Sequence, residues 1–278
     1  INFNYKDNTF FLFENLYCTY LLFKILLNKD KQNTVILSFQ NSILSIIVSK
    51  LLGFKIVVRS AAPIDYFKRK NLFLDKVKLF FKMKIYSYSD LIISNSKSSA
   101  KKIKEKLKTK RRIISIPNPI SKLETRINKT QKKDQILYVG RLSNEKGLFK
   151  LIEGFEIFNK DFPYYKLKIV GDGNQRNNLI EFIKSKKINK AINLIGWRSN
   201  INKFYKSSKV LILPSFFEGF GNVLIEALNF NLPCIATNND GPKEILGYGK
   251  FGLLMRDNSA NTINLSLRYL IKNYNIYK

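Results

Sequence analysis

Histidine is absent from this 278-residue chain. That removes Ser-His-Asp and Cys-His nucleophiles and every histidine metal ligand. Cysteine is almost absent: Cys18 and Cys234 lie far apart, with neither CxxC nor metal-ligand spacing. Reduced thiols in a cytosolic protein are the expectation. No Asp-x-Asp pair occurs anywhere, so a common way of presenting a divalent cation to a diphosphate is missing. No apolar run reaches the roughly 18 residues of a membrane span. The nearest, Val35 to Val48, is broken by Gln40, Asn41 and three serines. No secretory leader is legible at the start, and a soluble, cytoplasmic protein is expected. Acidic side chains are scarce: 20 Asp and Glu stand against 49 Lys and Arg, for a formal charge of +29. The excess is spread over both halves, with its densest run from Lys97 to Arg112. A field of this sign attracts nucleotides, anionic lipid and nucleic acid alike, and does not choose among them.

What is present is alternation. Helical periodicity over Phe10–Leu27, Ile43–Leu52, Asn71–Tyr86 and Ser98–Leu107 alternates with short strand patterns. Those strands are Thr34–Phe39, Lys55–Arg59, Asp90–Asn95 and Arg112–Ile116, with a loop at Ser60-Ala61-Ala62-Pro63. The helix over 71–86 is basic and aromatic. It has two readings, a peripheral contact with anionic lipid at the inner face of the membrane and a plain cover for the sheet. Lys122 to Asp134 is polar and aperiodic, as a linker would be. Beyond it the alternation restarts, with strands at Gln135–Val139, Lys166–Val170, Ile192–Ile195, Val210–Leu213 and Cys234–Thr237. Leu253-Leu254 makes a short last strand. Helices are expected over Gly147–Asn159, Gln175–Lys186, from Asn222, and from Asn261 to the end. The pattern predicts an α/β protein of two Rossmann-like, doubly wound parallel-sheet domains, residues 1–125 and 126–278, facing a nucleotide cleft.

The second domain carries the chemistry. Strand Val210–Leu213 runs into Pro214-Ser215-Phe216-Phe217-Glu218-Gly219-Phe220-Gly221-Asn222-Val223-Leu224-Ile225-Glu226-Ala227. A glycine turn between a strand end and a helix start offers backbone N–H groups to an anion. Glu218 and Glu226 frame it. Tyr138-Val139-Gly140-Arg141-Leu142-Ser143-Asn144-Glu145-Lys146-Gly147 is a second strand–turn–helix junction. Its Arg141 and Lys146 can neutralise a departing diphosphate, one as a planar fork and the other as a point charge. Val170-Gly171-Asp172-Gly173 is a third such turn. It lacks the next glycine of a dinucleotide fingerprint, which disfavours a dehydrogenase. Trp197, the single tryptophan, packs in the core on one reading; on the other, implied only by the family resemblance given next, it lies beside a nucleobase, and both stay open.

Together these stretches resemble glycosyltransferase family 4, the group 1 glycosyltransferases of GT-B fold. Glu218-x7-Glu226, Gly140-Arg141-Leu142-x3-Lys146-Gly147 and Leu232-Pro233-Cys234-Ile235-Ala236-Thr237 carry the likeness. Weaker matches are Asn238–Ile245, read as a loop with Asp240 departing from the family's first glycine, and Ile116-Pro117-Asn118-Pro119-Ile120. The resemblance implies a retaining transfer from a nucleotide-sugar donor, UDP-linked, to a glycan or lipid-linked acceptor in surface-polysaccharide synthesis. Glu218, Arg141 and Lys146 would be catalytic. Gly140, Gly171, Gly219, Phe220, Gly221, Asn222, Val223 and Glu226 would bind the donor, with Glu226 on the ribose. No metal and no cofactor are expected, the nucleotide-sugar being a co-substrate. The family's opening strand and glycine turn have no counterpart before Phe10, so the first domain is expected to be incomplete. A relic that only binds nucleotide, a basic nucleic-acid binder and a nucleotide-sugar 2-epimerase are the alternatives, and no specific nucleic-acid partner is expected.

Overall fold

The structure, a computed structural model, describes residues 8–39, 42–60, 72–107, 112–119 and 132–277. The chain divides into two compact units, Ile1–Ile116 and Pro117–Lys278. The linker expected over Lys122–Asp134 falls mostly outside the described residues. So does the loop expected after Ser60.

In the first unit, helix α1 (Asn8–Leu27) precedes strand β1 (Val35–Phe39). Helix α2 (Ser42–Leu51), strand β2 (Lys55–Ser60), helix α3 (Leu72–Tyr86), strand β3 (Leu91–Ser94), helix α4 (Lys97–Leu107) and strand β4 (Arg112–Ser115) follow. The four strands are parallel and stand in the order β1-β2-β3-β4. Alternate residues of each strand point to opposite faces. Ile56, Val58 and Ile92 pack with Ile46, Met83, Tyr86 and Ile103 of the helices. On the other face of β1, Val35, Leu37 and Phe39 are all exposed. Asp90, just before β3, ties two neighbours together. Its carboxylate accepts the Ile56 backbone N–H at 2.7 Å and pairs with Lys50 at 2.6 Å.

The second unit follows the expected alternation closely. It contains β5 (Gln135–Val139), α5 (Leu148–Asp161), β6 (Lys166–Val170), α6 (Arg176–Ser185), β7 (Ile192–Gly196), α7 (Asn202–Ser207) and β8 (Val210–Leu213). After these come α8 (Asn222–Asn229), β9 (Cys234–Thr237), α9 (Asp240–Ile245), β10 (Leu253–Met255), α10 (Ala260–Lys272) and α11 (Tyr274–Tyr277). All six strands are parallel, in the order β10-β9-β8-β5-β6-β7. Every residue of β5, β8 and β9 is buried, as continuous apolar strands must be when helices cover both faces. Phe155 and Phe158 of α5 and Leu267 and Leu270 of α10 close the core on one side. Each buried large side chain contributes roughly 1.5–3 kcal/mol. Gly154 permits the close α5–α10 contact: a Cβ there would stand 2.6 Å from Ile263 Cγ2.

Two sequence expectations are corrected. Asp240–Ile245 is a short helix and not a loop. Its Pro242 sits in the first turn, where no backbone N–H is needed. The last helix is not continuous to the end; it breaks at Asn273, whose backbone leaves the helical region.

Candidate active site

Strand β5 begins the second sheet in sequence yet lies at its centre, with β6 on one side and β8 on the other. The order reverses between β5 and β8. In open α/β sheets the crevice for a ligand forms at the carboxyl ends of the strands where the order reverses. The loops after β5 and β8 therefore meet at that point, and they hold most of the residues singled out above.

These loops pack backbone against backbone. Gly171, at the end of β6, lies so close to Gly140 that a Cβ on it would stand 1.9 Å from the Gly140 carbonyl oxygen. Gly241, in the first turn of α9, would with a Cβ reach within 2.3 Å of Phe220 Cα. Glycine is required at both for want of space, whatever the local φ. Backbone and side-chain hydrogen bonds add further ties. Phe216 donates its backbone N–H to the Glu145 carbonyl at 2.8 Å. Asn239 donates to the Ser215 carbonyl at 2.8 Å and Asn258 to the Pro214 carbonyl at 3.2 Å. Asn118 donates to the Asn222 side chain at 3.1 Å, which brings the Pro117–Pro119 segment to the start of α8.

At the centre, Lys146 Nζ lies 2.8 Å from Glu218 Oε2, and both side chains are only 14% exposed. Ser215 donates to the same oxygen at 3.3 Å. The β5 and β8 loops are thus joined by one buried ion pair. Next to it Glu145 accepts from Ser143 at 2.6 Å. Burial alone would raise the Glu145 carboxyl. The Ser143 hydroxyl, its own backbone N–H, Arg141 and Lys146 outweigh burial and hold it below the usual carboxylate range. Tyr138 lies beneath, donating to the Arg141 carbonyl at 3.0 Å. Burial first, and then the charges of Glu218 and Glu145, push its phenol far above the ordinary value.

Each expected residue now has a place. Gly219, Phe220 and Gly221 form the turn, and Asn222 and Val223 open α8, whose first turn has no side-chain cap. Arg141 stands apart from the ion pair. Its side chain is 79% exposed and faces Glu145 at 3.9 Å. Glu226 takes a partner of its own: it accepts the Tyr205 hydroxyl at 2.7 Å. The two glutamates thus engage different neighbours, which the spacing alone did not reveal. Trp197 follows β7 and is 68% exposed, so it is not a core residue.

Sequence reasoning missed Tyr205 and the Ser143–Glu145 contact. A tyrosine inside an apolar stretch signals a buried hydroxyl that needs a partner, but the partner, 21 residues away, is fixed only by the fold.

The profile of the glycosyl transferases group 1 matches residues 120–278. The chain belongs to the group 1 glycosyl transferases. This family member is 33% identical over 294 residues to an uncharacterized glycosyltransferase of Methanocaldococcus jannaschii, covering 93% of this chain and 71% of that one. It is 31% identical over 236 residues to the UDP-Gal:alpha-D-GlcNAc-diphosphoundecaprenol alpha-1,3-galactosyltransferase of Escherichia coli, covering 78% and 60%. A TarM mutant of Staphylococcus aureus, solved in complex with fondaparinux, alpha-GlcNAc-glycerol and UDP, superposes with a TM-score of 0.77 at 18% identity. That match covers 94% of this chain and 52% of TarM, and it shows the GT-B fold. The chain therefore spans between about half and seven-tenths of these relatives.

Proposed function

We propose that this protein transfers a sugar, with retention, from a UDP-linked donor to a glycan or lipid-linked acceptor in surface-polysaccharide synthesis. The observation that carries this reading is the Lys146–Glu218 pair, set where the strand order reverses. A buried cation beside a glycine turn and an uncapped helix start suits a diphosphate, whose charge grows as the glycosidic bond breaks. The galactosyltransferase relative names a UDP donor and a diphosphoundecaprenol acceptor, and TarM was solved with UDP; both lend support.

In this reading Lys146 exchanges Glu218 for the diphosphate when the donor enters, and Arg141 swings in from solvent to join it. Glu218, released, orients the sugar and steadies positive charge near the anomeric carbon. Glu226 receives the ribose hydroxyls. Gly140, Gly171, Gly219, Phe220, Gly221, Asn222 and Val223 wall the donor. The leaving phosphate, not a side chain, takes the acceptor proton on the same face. Cations do the work that a divalent metal does elsewhere, and no cofactor takes part. Among the described residues no helix is long and apolar enough to cross a membrane; the protein works in the cytoplasm, or rests peripherally on the membrane where a lipid-linked acceptor resides.

The test is a thermal-shift panel of UDP, GDP, ADP and their sugars, with Glu226→Ala as control, followed by transfer of labelled sugar to lipid extracts. A ligand at about 100 times its Kd adds roughly 2.7 kcal/mol, or about 5–11 °C for a domain of 150–250 residues. Stabilisation by UDP that the variant loses supports the donor site. Stabilisation by DNA alone, at low salt, overturns it, and nucleotide binding without transfer leaves a protein that only binds.

A further inference from the structure

We infer that Tyr205 is a positioning residue of the nucleotide site: its buried hydroxyl fixes the Glu226 carboxylate in the orientation that receives the ribose. The inference rests on the proposed role of Glu226 and deepens it. Tyr205 lies on α7, a helix of six residues outside the glycine turns of the proposed site. It is fully buried. Its ring stacks on Phe230 with centroids 5.6 Å apart and planes 17° from parallel. Phe230 ends the same α8 helix that bears Glu226, four residues on and so one turn along its face. The stack therefore sets where the hydroxyl stands, and the hydroxyl donates to Glu226 Oε2 at 2.7 Å.

Physical chemistry gives this contact a purpose. A carboxylate has two oxygens and can accept about four hydrogen bonds, but its terminal torsion is broad. Ribose diols need an acceptor of fixed direction. Spending Oε2 on a rigid phenol leaves Oε1 pointing one way. The phenol stays a donor throughout the working pH range, since burial and the Glu226 charge both push its ionisation up. Removing the hydroxyl leaves a half-buried carboxylate that can turn to solvent.

The experiment compares Kd for UDP and for 2′,3′-dideoxy-UDP in wild type, Tyr205→Phe, Glu226→Gln and the double variant, using the corresponding pair if another base binds best. Glu226→Gln should remove most of the preference for the ribose diol. Tyr205→Phe should reduce that preference by about three- to tenfold, the net size of one ordinary hydrogen bond, and the double variant should lose no more than Glu226→Gln alone. Phe230→Leu, which keeps the hydroxyl and loosens the stack that places it, should lose part of the preference, less than Tyr205→Phe does. A uniform loss of affinity for both nucleotides in Tyr205→Phe would mean a merely structural role and overturns the inference. If Tyr205→Phe keeps the wild-type preference while Glu226→Gln loses it, the inference falls and the ribose role stands. If Glu226→Gln keeps it, both fall together.

Discussion

Lys146 and Glu218 have each lost most of their hydration, and each is compensated by the other. Removing one partner of such a pair strands a charge, at a cost of about 3–5 kcal/mol for a fully buried pair; the residual exposure places this one at the lower end. Lys146→Ala is therefore expected to lower Tm by several degrees and to abolish transfer. Glu218→Ala alone should do the same. The double variant, with neither charge left behind, should recover part of the lost stability while remaining inactive, and a double-mutant cycle by thermal unfolding measures that coupling. Additive losses would mean that the pair is not the linkage described. Arg141 provides the contrast. It faces solvent, so Arg141→Ala is expected to leave Tm nearly unchanged while weakening donor binding.

At the scale of elements, the site depends on how closely three loops approach. A methyl group on Gly171 has no room against the Gly140 carbonyl, and neighbouring backbone cannot rotate away as a side chain can. Gly171→Ala should destabilise by about 1–3 kcal/mol, the usual range for overpacking, and should weaken nucleotide binding by displacing the β5 loop; Tm and Kd report both. These packing details were not legible in the sequence. Strands β5, β8 and β9 were, because each is a short apolar run buried on both faces, and β6 was, through its Lys-Leu-Lys-Ile alternation before Gly171. The loops at their ends were legible through Gly140, Gly147, Gly219 and Gly221. What stayed hidden had physical reasons. Helix α7 is too short to show a 3.6-residue period, and α9 begins with Asp240-Gly241-Pro242, which reads as a turn unless the first-turn tolerance for proline applies. The Tyr205–Glu226 and Lys146–Glu218 contacts join residues 21 and 72 apart, and no local pattern encodes such distances.

For the whole molecule, the charge of +29 acts without regard to the site. Long-range attraction between exposed lysines and any polyanion is screened within a Debye length of about 8 Å at physiological salt. The interactions of the half-dozen groups around Lys146 are short and partly desolvated. Binding to duplex DNA is thus expected to fall by more than about tenfold between 50 and 200 mM salt, while stabilisation by UDP changes far less over that interval. Fluorescence anisotropy and thermal shift, run at the same salt steps, separate the two. Equal salt slopes would return the nucleic-acid reading to favour.

The central position of β5 also sets an order of events. Its partner β6 follows within one helix, but β8 arrives only after β6, α6, β7 and α7 have been made. A chain leaving the ribosome can assemble β5, β6 and β7 early, since those contacts are local. The Lys146–Glu218 pair cannot close until β8 docks against the far edge of β5. Until then the first half of the donor loops waits beside an open strand edge, and a nucleotide has nothing to hold. Protection from hydrogen exchange should therefore reach the amides of β5 and β6 before those of β8 and β9, and a nucleotide should retard unfolding without hastening refolding.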